Sequence, residues 1–182
     1  MSDYNAVFEE ALRKTVDGLE QGEFRPQNER DLCAYLFRAC LESLKGSGHK
    51  IPLPVHMEKK IAGKAVDLAI GEAEQLVVEL KFEDFRAAEG QGSLFVTEKA
   101  AGGPAGHSIE KDVNRLRALA AEGRTGHLLV MEMDDGSPGE WYFPGETGII
   151  GIPKTEWHER QGFCFAHHTE HPGVRKDPSR SP

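Results

Sequence analysis

The run His127-Leu128-Leu129-Val130-Met131-Glu132-Met133 is the feature that most constrains the fold. A nearly continuous apolar stretch of this length suits a strand buried on both faces. The preceding segment reads as a helix, with Ser108 as cap, a core stripe of Ile109, Val113, Leu116, Leu119 and Ala120, an end at Glu122 and Gly123 just beyond. Lys111 and Asp112 fall on the other face of that helix and read as a solvated charged turn. With this helix as the crossover between two strands, those strands run parallel in a right-handed connection. The expected class is therefore α/β.

Two helices precede the sheet. Tyr4, Val7, Phe8, Ala11, Leu12, Thr15, Val16 and Leu19 recur at helical spacing behind Ser2 or Asp3 as cap, with Gly22 as the stop. A second helix starts at Pro26 and Asn28, buries Leu32, Leu36, Ala39 and Leu44, and ends at Gly46. Glu29 lies in its first turn. An acid there either complements the helix dipole or reaches a site beyond the helix, and the sequence leaves both readings open.

Three short runs follow. Val55 to Ile61 alternates, with Val55, Met57, Lys59 and Ile61 on one face and His56, Glu58 and Lys60 on the other. Ala62-Gly63-Lys64 turns it into a strand in which Asp67 stands apart from Val66, Leu68 and Ile70. In the third run Glu79 and Lys81 share one face, while Leu76, Val78, Leu80 and Phe82 share the other. Gly71-Glu72-Ala73-Glu74 between them is short and polar enough for a hairpin turn. Asp67 meets Glu79 only if that turn is centred near Ala73, as in a three-residue loop, because a slip of one residue sends them to opposite faces.

At 182 residues and 38% hydrophobic, the chain suits one domain over residues 1–168. No apolar run is long enough for a membrane span and the N-terminus lacks the regions of a secretion signal, so a cytoplasmic protein with no membrane contact is expected. Cys33 and Cys40, seven apart on the second helix, pack as small apolar residues rather than form a disulfide framework or zinc site. A net charge of −8 argues against non-specific coating of nucleic acid, which depends on neutralising phosphates. Locally, Lys59, Lys60 and Lys64 surround the first hairpin and are candidate nucleic-acid contacts. Arg115, Arg117 and Arg124 read as a solvated face.

Residues 85–106 hold five glycines, read as a flexible insertion, and form neither a dinucleotide fingerprint nor a phosphate loop. After the turn signal Asp134-Asp135-Gly136-Ser137-Pro138-Gly139, short runs at Glu140-Trp141-Tyr142-Phe143, Gly148-Ile149-Ile150-Gly151-Ile152 and Phe163-Cys164-Phe165-Ala166 read as edge strands or an added hairpin. Residues 169–182 read as a disordered tail. His167, His168 and His171 lack an acid or cysteine at ligand spacing and read as solvated.

On Glu29, Glu58, Asp67 and Glu79-Leu80-Lys81, in that order of elements, the chain resembles the PD-(D/E)XK nuclease superfamily over residues 28–133. Val66 stands where that family has its proline. The resemblance implies a restriction endonuclease-like three-layer core, a mixed central sheet flanked by helices, here with an added C-terminal β region. It also implies Asp67, Glu79, Lys81 and Glu58 as catalytic residues, with Lys81 beside the attacking water and the scissile phosphate. Mg²⁺, with Mn²⁺ as substitute, takes hard oxygen ligands, so the Asp67 and Glu79 carboxylates and the Leu80 carbonyl form its expected set. Glu29 and His56 are supporting candidates. The expected partner is nucleic acid, DNA first, with a homodimer or larger complex as the natural assembly for a double-strand cutter. The acidic balance and the lack of a DNA-reading helix favour the alternative, an inactive interaction or scaffold protein that keeps the fold.

Overall fold

The computed structural model describes residues 3–50, 52–84, 106–133, 157–160 and 162–173. Helix α1 (Tyr4–Glu20) starts where the Asp3 carboxylate accepts hydrogen bonds from the Asn5 and Ala6 amides, both at 3.1 Å. Helix α2 (Glu29–Gly46) starts where the Asn28 side chain accepts from the Asp31 amide at 3.0 Å. Each cap satisfies amides that a first helical turn leaves without a partner. Strands β1 (Val55–Ile61), β2 (Lys64–Ile70) and β3 (Leu76–Asp84) precede helix α3 (Gly106–Ala121), and strands β4 (Thr125–Met133), β5 (Trp157–Arg160) and β6 (Phe163–Glu170) follow it.

The strands form one mixed sheet of six in the order β1-β2-β3-β4-β6-β5. β1, β2 and β3 make an antiparallel meander, and β4 returns parallel to β3 after α3. Its two faces carry separate cores. Phe8, Leu12, Leu32, Leu36 and Leu44 of α1 and α2 pack on one side with Leu68, Leu76, Val78, Leu80, Leu129 and Phe163. Val113, Leu116 and Leu119 of α3 pack on the other with Val77, Leu128, Val130 and Ala166. The apolar run of β4 is thus covered on both sides, and Leu128, Leu129, Val130 and Met131 are wholly buried.

Register decides the site. Leu68 pairs with Val78 and Ile70 with Leu76, so the β2–β3 turn is centred on Ala73 and Asp67 stands opposite Glu79. The turn spans residues 71–75 rather than three. Gly71 carries it at φ 100°, beside the Gln75 and Tyr4 side chains. Between β1 and β2, Ala62 (φ 51°) and Gly63 (φ 81°) both take the left-handed conformation, the geometry of a two-residue type I′ hairpin.

The structure corrects four expectations. Simple alternation fails in β1 and β2: Val55 packs with α1 and α2, whereas Ile61 packs with α3, and Leu68 and Val66 part in the same way. Glu58, at φ 51° in β1, lies where the register places it opposite Asp67, so the two strands change faces together at those residues. Helix α3 begins at Gly106, which puts Ser108 inside it rather than at its cap. Of the two readings of the Phe163 run, the hairpin holds, since β6 pairs antiparallel with β5, but β6 is an inner strand that also pairs with β4, not an edge. It also extends to Glu170, so Thr169 and Glu170 belong to the sheet and not to a tail. The insertion at residues 85–105, the runs at 140–143 and 148–152 and the segment 174–182 lie outside the described residues.

Among the described residues, no helix is long and apolar enough to cross a membrane. Cys33, Cys40 and Cys164 are all buried. A Cβ at residue 71 would lie 3.1 Å from the Tyr4 ring and force a strained φ. Gly71→Ala is therefore expected to destabilise the protein by about 1–3 kcal/mol, as measured by urea unfolding. An unchanged midpoint would contradict the turn geometry.

Candidate functional site

The β2–β3 ladder ends at Leu68 and Val78. Beyond it, the Leu80 amide donates to Asp67 Oδ2 at 2.7 Å. A carboxylate thus stands where a backbone carbonyl would continue the sheet, which satisfies a buried amide whose loss of partner costs about 1–3 kcal/mol. The Asp67 carbonyl in turn lies 3.6 Å from Cys33 Sγ on α2. Leu80 itself is wholly buried, so the peptide between Asp67 and Lys81 is fixed by packing on one face and by the carboxylate along the strand.

Glu79 points to the α3 side and is 3% exposed. Arg115 of α3 makes an ion-pair contact with Glu79 Oε1 while donating to the Ala65 carbonyl. The contact lacks hydrogen-bond alignment, so among the described residues Glu79 Oε1 is buried without a hydrogen-bond partner. Lys81 Nζ donates to the Leu80 carbonyl at 2.7 Å and lies 3.1 Å from Asp112 Oδ2 and 3.5 Å from Glu29 Oε2. α2, α3, β2 and β3 therefore bring four carboxyl groups, Glu29, Asp67, Glu79 and Asp112, together with two cations, Lys81 and Arg115.

Burial dominates the titration of these acids. Burial pushes Glu79 up to about 8, against the pull of Arg115. Burial also lifts Asp67 above the ordinary carboxylate range, against the Leu80 amide and Lys81. Glu29 is raised in the same way, by burial first. For Lys81, burial opposes the charge, but Asp112, Glu29 and Asp67 outweigh it and hold the ammonium more firmly protonated than usual. Burial and the neighbouring carboxylates of Asp67, Glu29 and Glu58 push the Cys33 thiol up to about 12, so it is no nucleophile.

The candidates from the sequence divide. Asp67, Glu79, Leu80, Lys81 and Glu29 come together as described. Glu58 is exposed and lies in register with Asp67, near enough for its charge to act on Cys33. His56 is exposed, and among the described residues no hydrogen bond or ion pair joins it to the cluster. Lys59 is paired with Glu74 at 3.3 Å, and Lys60 is exposed. Lys64 lines a groove of about 640 Å³ with Lys111, Asn114 and Arg115, so Arg115 joins the groove to the acid cluster.

Asp112 and Arg115 were read from the sequence as solvated, and the structure overturns both readings. Asp112 is 7% exposed, and the Arg115 side chain is 17% exposed. Their spacing of three places them on one helical face beside Val113 and Leu116, which is the local signal that they reach the sheet.

No family model matches the chain, and neither a curated protein nor a solved structure is significantly similar to it.

Oxygen donors in a cluster with two more acids than bases fit a hard divalent cation, and Glu79 Oε1, met by Arg115 as an ion pair but without a hydrogen bond among the described residues, is the ligand atom best placed for it. Binding there requires Arg115 and Lys81 to release Glu79 and the Leu80 carbonyl.

Without metal, a Glu79 carboxyl raised from 4.5 to about 8 favours the folded state fully below pH 4.5, and that contribution is lost as pH rises through 8. At about 1.36 kcal/mol per pH unit the loss is roughly 3–5 kcal/mol. Glu79→Gln removes the ionisable group, so its stability, measured by denaturant unfolding from pH 5 to 9, is expected to lack this decline. Parallel curves for the two proteins would contradict the burial of Glu79.

Proposed function

We propose that the protein is a metal-dependent nuclease of restriction endonuclease-like fold that hydrolyses phosphodiester bonds of DNA. The convergence of Asp67, Glu79, the Leu80 carbonyl and Lys81 in one buried, acid-rich cluster carries this reading. The PD-(D/E)XK resemblance of the sequence supports it, as does the layered arrangement of a mixed sheet between helices.

Asp67, Glu79 and the Leu80 carbonyl hold Mg²⁺, for which Mn²⁺ can substitute. A divalent ion supplies charge neutralisation at the phosphate and a more acidic bound water. Lys81 acts as a fixed ammonium that orients the attacking water and faces the negative charge developing on the phosphate. It is a poor general base, because Asp112 and Glu29 keep it protonated. Those two acids position it, one from α3 and one from the first turn of α2. Glu58 is the further acid at the exposed side. The groove lined by Lys64, Lys111 and Arg115, with Glu122 as its one acid among the described residues, offers the phosphate backbone two exposed lysines on a chain of net charge −8.

A second reading has its own observation. Arg115 and Lys81 already contact two of the groups assigned to the metal, so the cluster can be held by internal ion pairs alone, as in an interaction protein that keeps the fold without cutting.

Nicking of supercoiled plasmid separates the two. The nuclease reading expects cleavage that needs Mg²⁺ or Mn²⁺, is abolished in Asp67→Ala and falls at least about 100-fold in Lys81→Ala, the scale of losing one electrostatic contact to the transition state. The apparent metal affinity should rise with pH and level off near 8, because a protonated Glu79 cannot ligate. No metal-dependent cleavage of duplex DNA, single-stranded DNA or RNA would favour the interaction reading.

A further inference from the structure

A separate cluster lies on the α1 side of the sheet. His127 of β4 and His167 of β6 meet with Nδ1 of the first 2.9 Å from Nε2 of the second. Glu9 of α1 completes the group: one nitrogen from each ring and one Glu9 oxygen all lie within 4.8 Å of one another. We propose that Glu9, His127 and His167 form a site for a divalent transition ion of the zinc class, distinct from the acid cluster.

The donor set selects the ion. Imidazole nitrogen suits Zn²⁺ and its neighbours, whereas the hard oxygens around Asp67 suit Mg²⁺. Two histidines and one glutamate are a recurrent set for zinc with the fourth position open to water or another ligand. Tetrahedral coordination at about 2.0–2.2 Å needs ligand atoms about 3.3 Å apart, so the two ring nitrogens now 2.9 Å apart have to separate slightly while the Glu9 oxygen moves in. Glu9 can supply that movement, because its side chain is 55% exposed on an outer turn of α1.

The surroundings orient the first ring. His127 is 2% exposed and packs against Phe8, with ring centroids 4.4 Å apart. Its Nε2 lies 3.4 Å from the Asn5 side-chain oxygen, an acceptor that favours the proton on Nε2 and leaves the Nδ1 lone pair facing His167. Thr169 Oγ1 lies 3.2 Å from the same Nδ1. Burial pushes His127 down to about 3 and His167 to about 4, so both rings are neutral at pH 7. The site ties α1 to the inner strands β4 and β6, so an ion bound to the folded state alone raises its stability.

Thermal unfolding of the full chain after treatment with a chelator tests the site, with Zn²⁺ added back, together with Co²⁺ absorption as a reporter of ligand type. The expected result is a Zn²⁺-dependent rise in Tm and visible Co²⁺ bands of a four- or five-coordinate site. Affinity should fall at least about tenfold in both His167→Gln and Glu9→Gln, and Asp67→Asn should retain it. Both of the first two residues are partly exposed, so the variants should fold. No rise in Tm, or a rise that survives His167→Gln and Glu9→Gln, would overturn the proposal. A rise lost only in Asp67→Asn would place the ion at the acid cluster and would overturn it equally. The outcome is independent of DNA cleavage.

Discussion

The hydrogen bond from the Leu80 amide to the Asp67 carboxylate is the contact on which the arrangement turns. It lies where the ladder between β2 and β3 stops and where β1 and β2 change faces, so one carboxylate both closes the sheet and anchors the acid cluster. Glu79 and Lys81 then flank Leu80, whose amide is fixed by Asp67 and whose carbonyl accepts from Lys81. Loss of that bond would leave a buried amide without a partner and free the strand carrying both groups.

Charge balance follows from this geometry. Four carboxyl groups share two internal cations; burial holds the protons of Glu29, Asp67 and Glu79 more firmly than usual, and the surrounding acids do the same for Lys81. An acid pushed up to about 8 by burial is an unfavourable ion at neutral pH unless a further positive charge arrives. Arg115 answers part of that need, but its poor alignment with Glu79 Oε1 leaves the oxygen without a hydrogen bond. A divalent ion would answer the rest. The imidazole cluster on the opposite face obeys a different logic, with neutral rings and two nitrogen donors, so the two sites would select different ions.

Much of this was legible locally. Periodicity and capping residues placed α1, α2 and the meander, and the polar turn around Ala73 set the register that joins Asp67 to Glu79. The face change at Glu58 was not legible, because it depends on a left-handed backbone at a residue type that rarely adopts it. Asp112 and Arg115 looked like an ordinary charged turn: their shared face beside Val113 and Leu116 signals contact with the sheet, but nothing within α3 reveals that Glu79 and Lys81 are what they meet there. His127 and His167 likewise lie forty residues apart and meet only because β6 enters the sheet beside β4, a pairing that the polar ending at Thr169 and Glu170 disguised.

Diffraction from crystals soaked in Mn²⁺, recorded for anomalous scattering, tests the central claim most directly. The account expects one strong peak about 2.0–2.3 Å from a carboxylate oxygen of Asp67, from Glu79 Oε1 and from the Leu80 carbonyl, with Lys81 and Arg115 swung off those atoms. Ion pairs of Arg115 and Lys81 left intact at saturating Mn²⁺, with no peak between Asp67 and Glu79, would contradict it.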